Sequence, residues 1–599
     1  MKRFKILFNI GFAAILICTA SCRKYLNENV NKATVPDVSQ WASETNADLF
    51  LNGLYGELYN TTNSPDPLDS FTDDNDGGIY WNSWHYKAAN VGASVDGGTQ
   101  FNTFGNNYAD WGTNYTRIRR CNLFLAKIQQ YAANFSAPWV AKRTDEVKFL
   151  RAFTYTKMLE FFGGVPLWTT VPDNNTMTTD QLDMPRSTFE QTYNFIDSEL
   201  DAIVKNGTLT VKYNHGDSNA GRATLGAALM LKGWVELFAA SPTFNSGTYP
   251  LADPNNLAHF ANADPARWAK AAATFQQFMT NYTQYSLFPD YTSYYYENNE
   301  YNSEIIWDKN LVANVPGPNG NSGLVAESSN YDQYGGPVYI LGQYYTWGNY
   351  DPTQELVDAF RMANGKDITD PTSGYDPQNP YANREQRFYQ SIVFDGATYF
   401  QPWMSKSDVI YTRIDKLKPS LNQIDFASAD VSNTGYYTKK RLNPAGGAGV
   451  SSGINYIYYR FAEVLLGYAE AQNEAVGPDA SVYAAINKVR ARGVLPALPT
   501  GLTQTQMREQ IRNERRVEFS FEEKRFYDII RWGIAGNVLS TDRHCMVITN
   551  SSPNDNAGVL VYKPTLLNHP FGWNDKMFRN PIPQSVMDAN TKLIQNPGY

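Results

Sequence analysis

The stretch that most constrains this chain is residues 143–168, RTDEVKFLRAFTYTKMLEFFGGVPLW. Val147, Leu150, Thr154, Met158 and Phe161 recur at helical spacing, so one face is apolar and needs a partner. Gly163-Gly164 stops the helix where a positive φ costs little, and Pro166 prevents a restart. Phe161, Phe162, Val165, Leu167 and Trp168 continue as an apolar knot past that end. A helix that ends so abruptly in aromatics is a docking element for other helices.

Further helices are expected at 44–59, from Trp111 to about Tyr131, and at 185–206, where Ser187 and Glu190 form a capping box. Others are expected at 221–240, 266–282, 455–475, 480–492 and 504–531. In the last, Glu509–Arg512, Arg515–Glu518 and Glu522–Arg525 stand at i,i+3 as opposite charges. Between 288 and 452 helical pattern is rare. Gly and Pro are common, 304–307 and 392–394 read as isolated strands, and 351–360 as one short helix. The segment 577–599 reads as loop-rich.

The N-terminus follows another rule. Lys2, Arg3 and Lys5 precede a mostly apolar run at 6–17, too short to span a membrane comfortably, which is the pattern of a secretory signal. Thr19-Ala20-Ser21-Cys22 reads as a bacterial lipobox, with Cys22 acylated and becoming the first mature residue. Diacylglycerol with an N-acyl chain anchors a protein stably without crossing the bilayer. The expected organisation is a signal at 1–21, a tether at 22–43, and one domain at 44–599. Within that domain lie helical blocks at about 44–287 and 455–532, an irregular insertion at about 288–454, and a closing segment at 533–599.

Composition excludes several functions. With 51 Lys and Arg against 59 Asp and Glu the net charge is −8, and no basic run follows the N-terminus. Nucleic-acid affinity needs clustered cations, so no nucleic acid is expected. Cys18 and Cys22 lie in the N-terminal segment, leaving Cys121 and Cys545, and the five histidines have no zinc spacing. No Walker or dinucleotide loop is present. The G-x-S-x-G at 449–453 follows PAGGAG rather than a buried strand, so it is no nucleophile elbow. No enzyme and no cofactor are expected. The acidic stretch at 69–76 could hold a structural calcium, although it lacks the EF-hand's Gly and terminal Glu spacing.

Aromatics are 14% of the chain, with 40 Tyr and 13 Trp, many beside Asn, Gly, Asp and Thr. Aromatics in polar loops make a stacking surface. The 63–110 loop supplies Asp73, Asp74, Asn75, Tyr80, Trp81 and Trp84, and Trp111 and Asn114 follow one helical turn apart. The insertion adds Tyr294, Tyr295, Tyr296, Tyr331, Tyr344, Tyr345 and Trp347. The residues expected to contact a ligand are Asp73, Asp74, Tyr80, Trp81, Trp84, Trp111, Asn114, Tyr295, Tyr331 and Trp347. Rings would stack on flat apolar ligand faces while Asp and Asn bind polar groups.

FLRAF followed by FFGGVPLW resembles the SusD/RagB family of nutrient-binding lipoproteins. So do W-x-x-x-Y-x-x-I-x-x-x-N from Trp111 to Asn122, GRATLGAALML at 221–231, YRFAEVLLGYAEAQNE at 459–474, and AINKVRARGVLP at 485–496. NERRVEFSFEEKRFYDIIRWG at 513–533 and the close NPIPQSVMDANTKLIQNPGY complete the resemblance, although Glu523-Lys524 stands where the family usually has Gly-His. The resemblance implies a mainly α fold: a TPR-like helix-pair scaffold with a large irregular, loop-rich region and a few short strands. It implies a non-catalytic outer-membrane lipoprotein facing the cell exterior. Such a protein delivers oligosaccharide or polysaccharide to a SusC-like TonB-dependent transporter. Peptide or glycopeptide capture, or a TPR-type protein scaffold, are the alternatives.

Overall fold

The structure is a computed structural model of the 599-residue chain. It describes residues 36–599 except 62–65, 78–81, 95–109, 174, 314–328, 330, 427–430, 445–451, 553–557 and 569–570. The signal and lipidation expectations, Cys22 included, lie outside the described residues.

The long helices are α1 (Glu44–Gly56), α2 (Trp111–Gln130), α3 (Ala137–Phe162), α4 (Phe189–Asn206), α5 (Leu225–Ala240) and α6 (Ala266–Asn281). After the insertion come α7 (Phe461–Val476), α8 (Ala480–Arg492), α9 (Gln504–Glu518) and α10 (Lys524–Arg531). From α2 to α8 each helix packs on the next, as in a stack of helix pairs, and α9 also packs on α7. Although residues 282–460 intervene, α6 and α7 are neighbours, so the insertion leaves the stack and returns to the same place. The architecture is the mainly α, TPR-like scaffold that the sequence resemblance implied.

The central helix, α3, differs from its reading as a one-faced amphipath. Every residue from Asp145 to Phe162 except Lys148 is buried. Its polar residues are absorbed locally. Thr154 and Thr156 donate to the carbonyls of Leu150 and Ala152, and Lys157 pairs with Glu160 at 2.7 Å. The double glycine is imposed by backbone approach. Gly163 has φ +80° and its missing Cβ would lie 2.2 Å from the Leu257 carbonyl oxygen. A Cβ on Gly164 would lie 2.1 Å from that of Ser187.

Among the described residues strands occur only as two-stranded pairs. β2 (Ile305–Lys309) and β10 (Tyr456–Arg460) pair antiparallel and close the neck of the insertion. Residues 456–460 are therefore strand rather than the start of a helix, and α7 begins at Phe461. The 504–531 helix is two helices, broken where Phe521 and Glu523 take φ +61° and +62°. That break redirects the expected charge pairs. Only Glu509–Arg512 forms, at 3.5 Å. Arg515 turns to Asp528, and Glu522 turns to Arg460 and Lys440. The expected capping box of α4 is one residue later, at Thr188 and Gln191. The 533–599 segment contains a hairpin of seven-residue strands, β11 (His544–Asn550) and β12 (Leu560–Leu566).

A buried ion cluster ties the insertion to the helices. Glu518 on α9 receives Arg387 from the insertion at 3.0 Å and Arg460 from the neck at 2.6 Å, together with Arg492 from α8. Burial alone would raise the Glu518 carboxyl, but Arg492, Arg460 and Arg387 outweigh it and hold it down at about 2.

Candidate functional site

The insertion has its own core, made of Tyr331, Tyr334, Val338, Ile340, Tyr350, Tyr399, Met404, Ile410 and Tyr437 with their neighbours. Two hairpins lie on it. One pairs β3 (Tyr339–Ile340) with β4 (Gln343–Tyr344), and the other pairs β7 (Ala397–Tyr399) with β8 (Asp408–Ile410). The first turns through Leu341 and Gly342 at φ +51° and +78°, the signs a two-residue type I′ turn requires. The Leu341 N–H donates to Asp408 Oδ2 at 2.6 Å, which fixes one hairpin to the other.

Alternation along this chain aims the aromatics. Tyr339 and Tyr344 are cross-strand partners with ring centroids 5.6 Å apart, and Tyr344 is 48% exposed. Ile340 points into the core. Beyond the hairpin Tyr345 and Trp347 share one side, while Thr346 between them is buried and donates to the Gly336 carbonyl at 3.0 Å. Tyr345 lies 5.1 Å from Trp403, which stands in the β7–β8 connection. Trp347 is 39% exposed, rests edge-on against buried Tyr334 at 5.3 Å, and its backbone N–H donates to the Gln333 carbonyl at 2.9 Å. Phe400 and Tyr411 are exposed on the second hairpin and its exit, and the Arg413 guanidinium lies 4.5 Å from the Tyr411 ring. Exposed Gln343, Ser405, Lys406 and Ser407 supply polar groups around these rings. This is an aromatic surface on two anchored hairpins, suited to stacking and hydrogen bonding.

Of the ten residues expected from sequence, Trp347 alone lies on this surface. Tyr80 and Trp81 lie outside the described residues. Trp84 is half-buried on a short helix, Asn82–Lys87. Six others are buried in the packed interior. Trp111 packs at 5.1 Å on both Tyr115 and Phe162, and Asn114 is buried, accepting from Arg117 at 3.0 Å. Tyr295 and Tyr331 are buried in their respective clusters. Asp73 and Asp74 are buried and paired with Arg516 at 2.8 and 2.6 Å. Burial pushes Asp73 up, but Arg516 and Arg525 outweigh it and hold it well below the usual carboxylate range.

Sequence reasoning missed Tyr339, Phe400, Trp403 and Tyr411. The available signal was short β alternation flanking Leu341-Gly342 and the aromatic run at 399–403. Of the G-x-S-x-G, residues 449–451, Ser451 included, lie outside the described residues, and 453–455 lead into β10, not into a helix. Among the described residues no cluster of His, Cys, Asp or Glu is placed to hold a metal ion. Cys121 and Cys545 are both buried and unpaired.

Comparison with known proteins decides the family. A profile described as "SusD family" matches residues 303–599, and one described as "Starch-binding associating with outer membrane" matches residues 24–212. The chain belongs to the SusD/RagB family. SusD-like protein P25 of Formosa agariphila is 24% identical over 552 residues, covering 88% of this chain and 90% of that protein. SusD-like protein P2 of the same organism is 32% identical over 162 residues, spanning 28% of its length. A SusD-like protein from Bacteroides fragilis superposes with TM-score 0.74 at 27% identity, covering 94% of this chain and 99% of that one. A SusD-like carbohydrate binding protein from the same organism superposes at 0.70 and 23% identity, covering 92% and 99%. The second profile is described as starch-binding, and this chain is a member of a family of binding proteins, not an enzyme. Among the described residues no helix is long and apolar enough to cross a membrane.

Proposed function

We propose that this protein is a cell-surface lipoprotein, anchored through lipid on Cys22, that captures oligosaccharide or polysaccharide and passes it to a SusC-like TonB-dependent transporter. The observation that carries the capture step is the exposure of Trp347 and Tyr344, with half-buried Tyr345 and Trp403 beside them, around two hairpins pinned by the Leu341–Asp408 bond. Rings held in place lose little conformational freedom on binding, so stacking energy is retained as affinity. A sugar needs no more than such planes and a few hydroxyl partners. The family's outer-membrane association supports the location.

Electrophoresis of the mature protein through native gels containing single polysaccharides tests the ligand class. Retardation by one glycan class and none by peptide competitors is the expected result. Tight binding to peptides without glycan retardation would favour the peptide-capturing version of the same scaffold. Delivery is tested separately: affinity purification from the native outer membrane should bring down a TonB-dependent transporter.

A further inference from the structure

A second groove, sharing no residue with the hairpin surface, lies between α2 and the segment after α3. It encloses about 320 Å³, and its walls include Tyr115, Thr116, Arg119, Trp168, Pro172 and Leu182. That volume is at the lower end of small-molecule sites, which run from about 300 to 1,000 Å³.

The wall is built rigidly. The Trp168 N–H donates to the Tyr155 hydroxyl at 2.7 Å, and that hydroxyl donates back to the Trp168 carbonyl at 3.1 Å. The Asn122 side-chain amide donates to the carbonyls of Trp168 and Thr170 at 2.9 and 3.1 Å. Tyr115 donates its hydroxyl to the Pro166 carbonyl at 2.9 Å. With its backbone fixed on three sides, Trp168 keeps a half-exposed indole that stacks on no other ring among the described residues. Beside it, exposed Arg119 has no ion pair or hydrogen bond among the described residues, and the exposed Thr116 hydroxyl, donated to the Gly112 carbonyl, keeps its lone pairs.

We propose that this groove is a second glycan-contact site, taking a short stretch of the chain that the hairpin aromatics hold; the proposal rests on the glycan-capture reading above. An indole plane, a phenol ring and two aliphatic walls match sugar C–H faces, and a free guanidinium offers paired donors to vicinal hydroxyls. A peptide fits less well. Peptide strands dock by pairing main-chain groups, and here the carbonyls of Pro166, Trp168 and Thr170 are already occupied by Tyr115, Tyr155 and Asn122. Two contact points on one chain make the second binding step intramolecular, so long glycans gain affinity that short ones do not.

The test compares a long polysaccharide that retards the wild-type protein with a short oligosaccharide cut from it. The variants are Arg119→Ala, Trp168→Ala and Gly112→Gln. The last fills the groove from a position where a Cβ meets only Asp110 Oδ1, at 3.7 Å, so folding is preserved. The expected result is a loss of about tenfold or more for the polysaccharide, with oligosaccharide affinity unchanged. Unchanged polysaccharide affinity in all three variants, alongside loss in Trp347→Ala, would remove the groove and leave glycan capture standing. Wild-type protein that binds no glycan would remove both. Loss of peptide binding instead would reassign the groove to peptide.

Discussion

Arg525 grips Asp73 through two parallel hydrogen bonds, its Nε and Nη2 each 2.9 Å from one carboxylate oxygen, although 452 residues separate the two in sequence. Arg516 adds a bond to the same carboxylate at 2.8 Å. The aspartate that looks in sequence like a hydroxyl binder in an aromatic loop is thereby a clasp between the N-terminal loop and the C-terminal helices. Asp73→Asn leaves two guanidiniums short of countercharge, and breaking a buried pair costs about 3–5 kcal/mol. Chemical denaturation should report that loss, whereas glycan affinity per folded molecule should match wild type. A stable variant with weakened glycan binding would return Asp73 to the site.

The Phe275 ring on α6 is sandwiched between two glycines. A Cβ on Gly233 of α5 or on Gly467 of α7 would lie 2.7 Å from it. Gly467→Ala therefore overpacks the joint where the insertion leaves the helix stack, at a cost of about 1–3 kcal/mol. Phe275→Leu combined with Gly467→Ala should recover part of that loss, because residues in contact are not additive. Equal and additive losses would show that the ring and the glycines do not share this space.

Stability should peak in mildly acidic solution. Burial pushes Asp308 up to about 6 and Asp332 up to about 7. A raised carboxyl binds more protons folded than unfolded, so its contribution is full at low pH and is lost as pH climbs from about 4 through 6 to 7. Glu518 runs the other way. With its folded value near 2 against an ordinary 4.5, its contribution is full above 4.5 and is lost as pH falls toward 2. Thermal melts from pH 3 to 8 should give the highest Tm between these windows, near pH 5 (about the crossover of the two effects). A Tm rising steadily from pH 5 to 8 would contradict this.

The helical scaffold was legible because its signals are local. Periodicity, the Gly163-Gly164 stop and N-caps such as Thr503 and Asp479 sit inside each segment. The break between α9 and α10 was not legible. Glu523 holds a left-handed φ of +62°, and what keeps it there is distant: its N–H donates to Asp69 and its carboxylate accepts from Tyr456. A glycine at this position would fit that backbone without strain. The candidate site was the hardest to read. Tyr344, Tyr345 and Trp347 sit among Gly and polar residues in sequence much as Trp111 and Tyr331 do, and only long-range packing separates rings that face solvent from rings that face a core.

The central claim, that the hairpin aromatics hold glycan, is tested most directly by calorimetric titration of a retarding oligosaccharide into wild type, Trp347→Ala and Trp403→Ala. Trp347 is 39% exposed and Trp403 packs half-buried on the insertion core, so both variants should fold, with Trp403→Ala the less stable of the two. Truncating an aromatic anchor of a binding surface costs about 2 kcal/mol or more, so each variant should bind about tenfold or more weaker. Wild-type affinity in both variants would contradict the account and move the glycan site elsewhere on the protein.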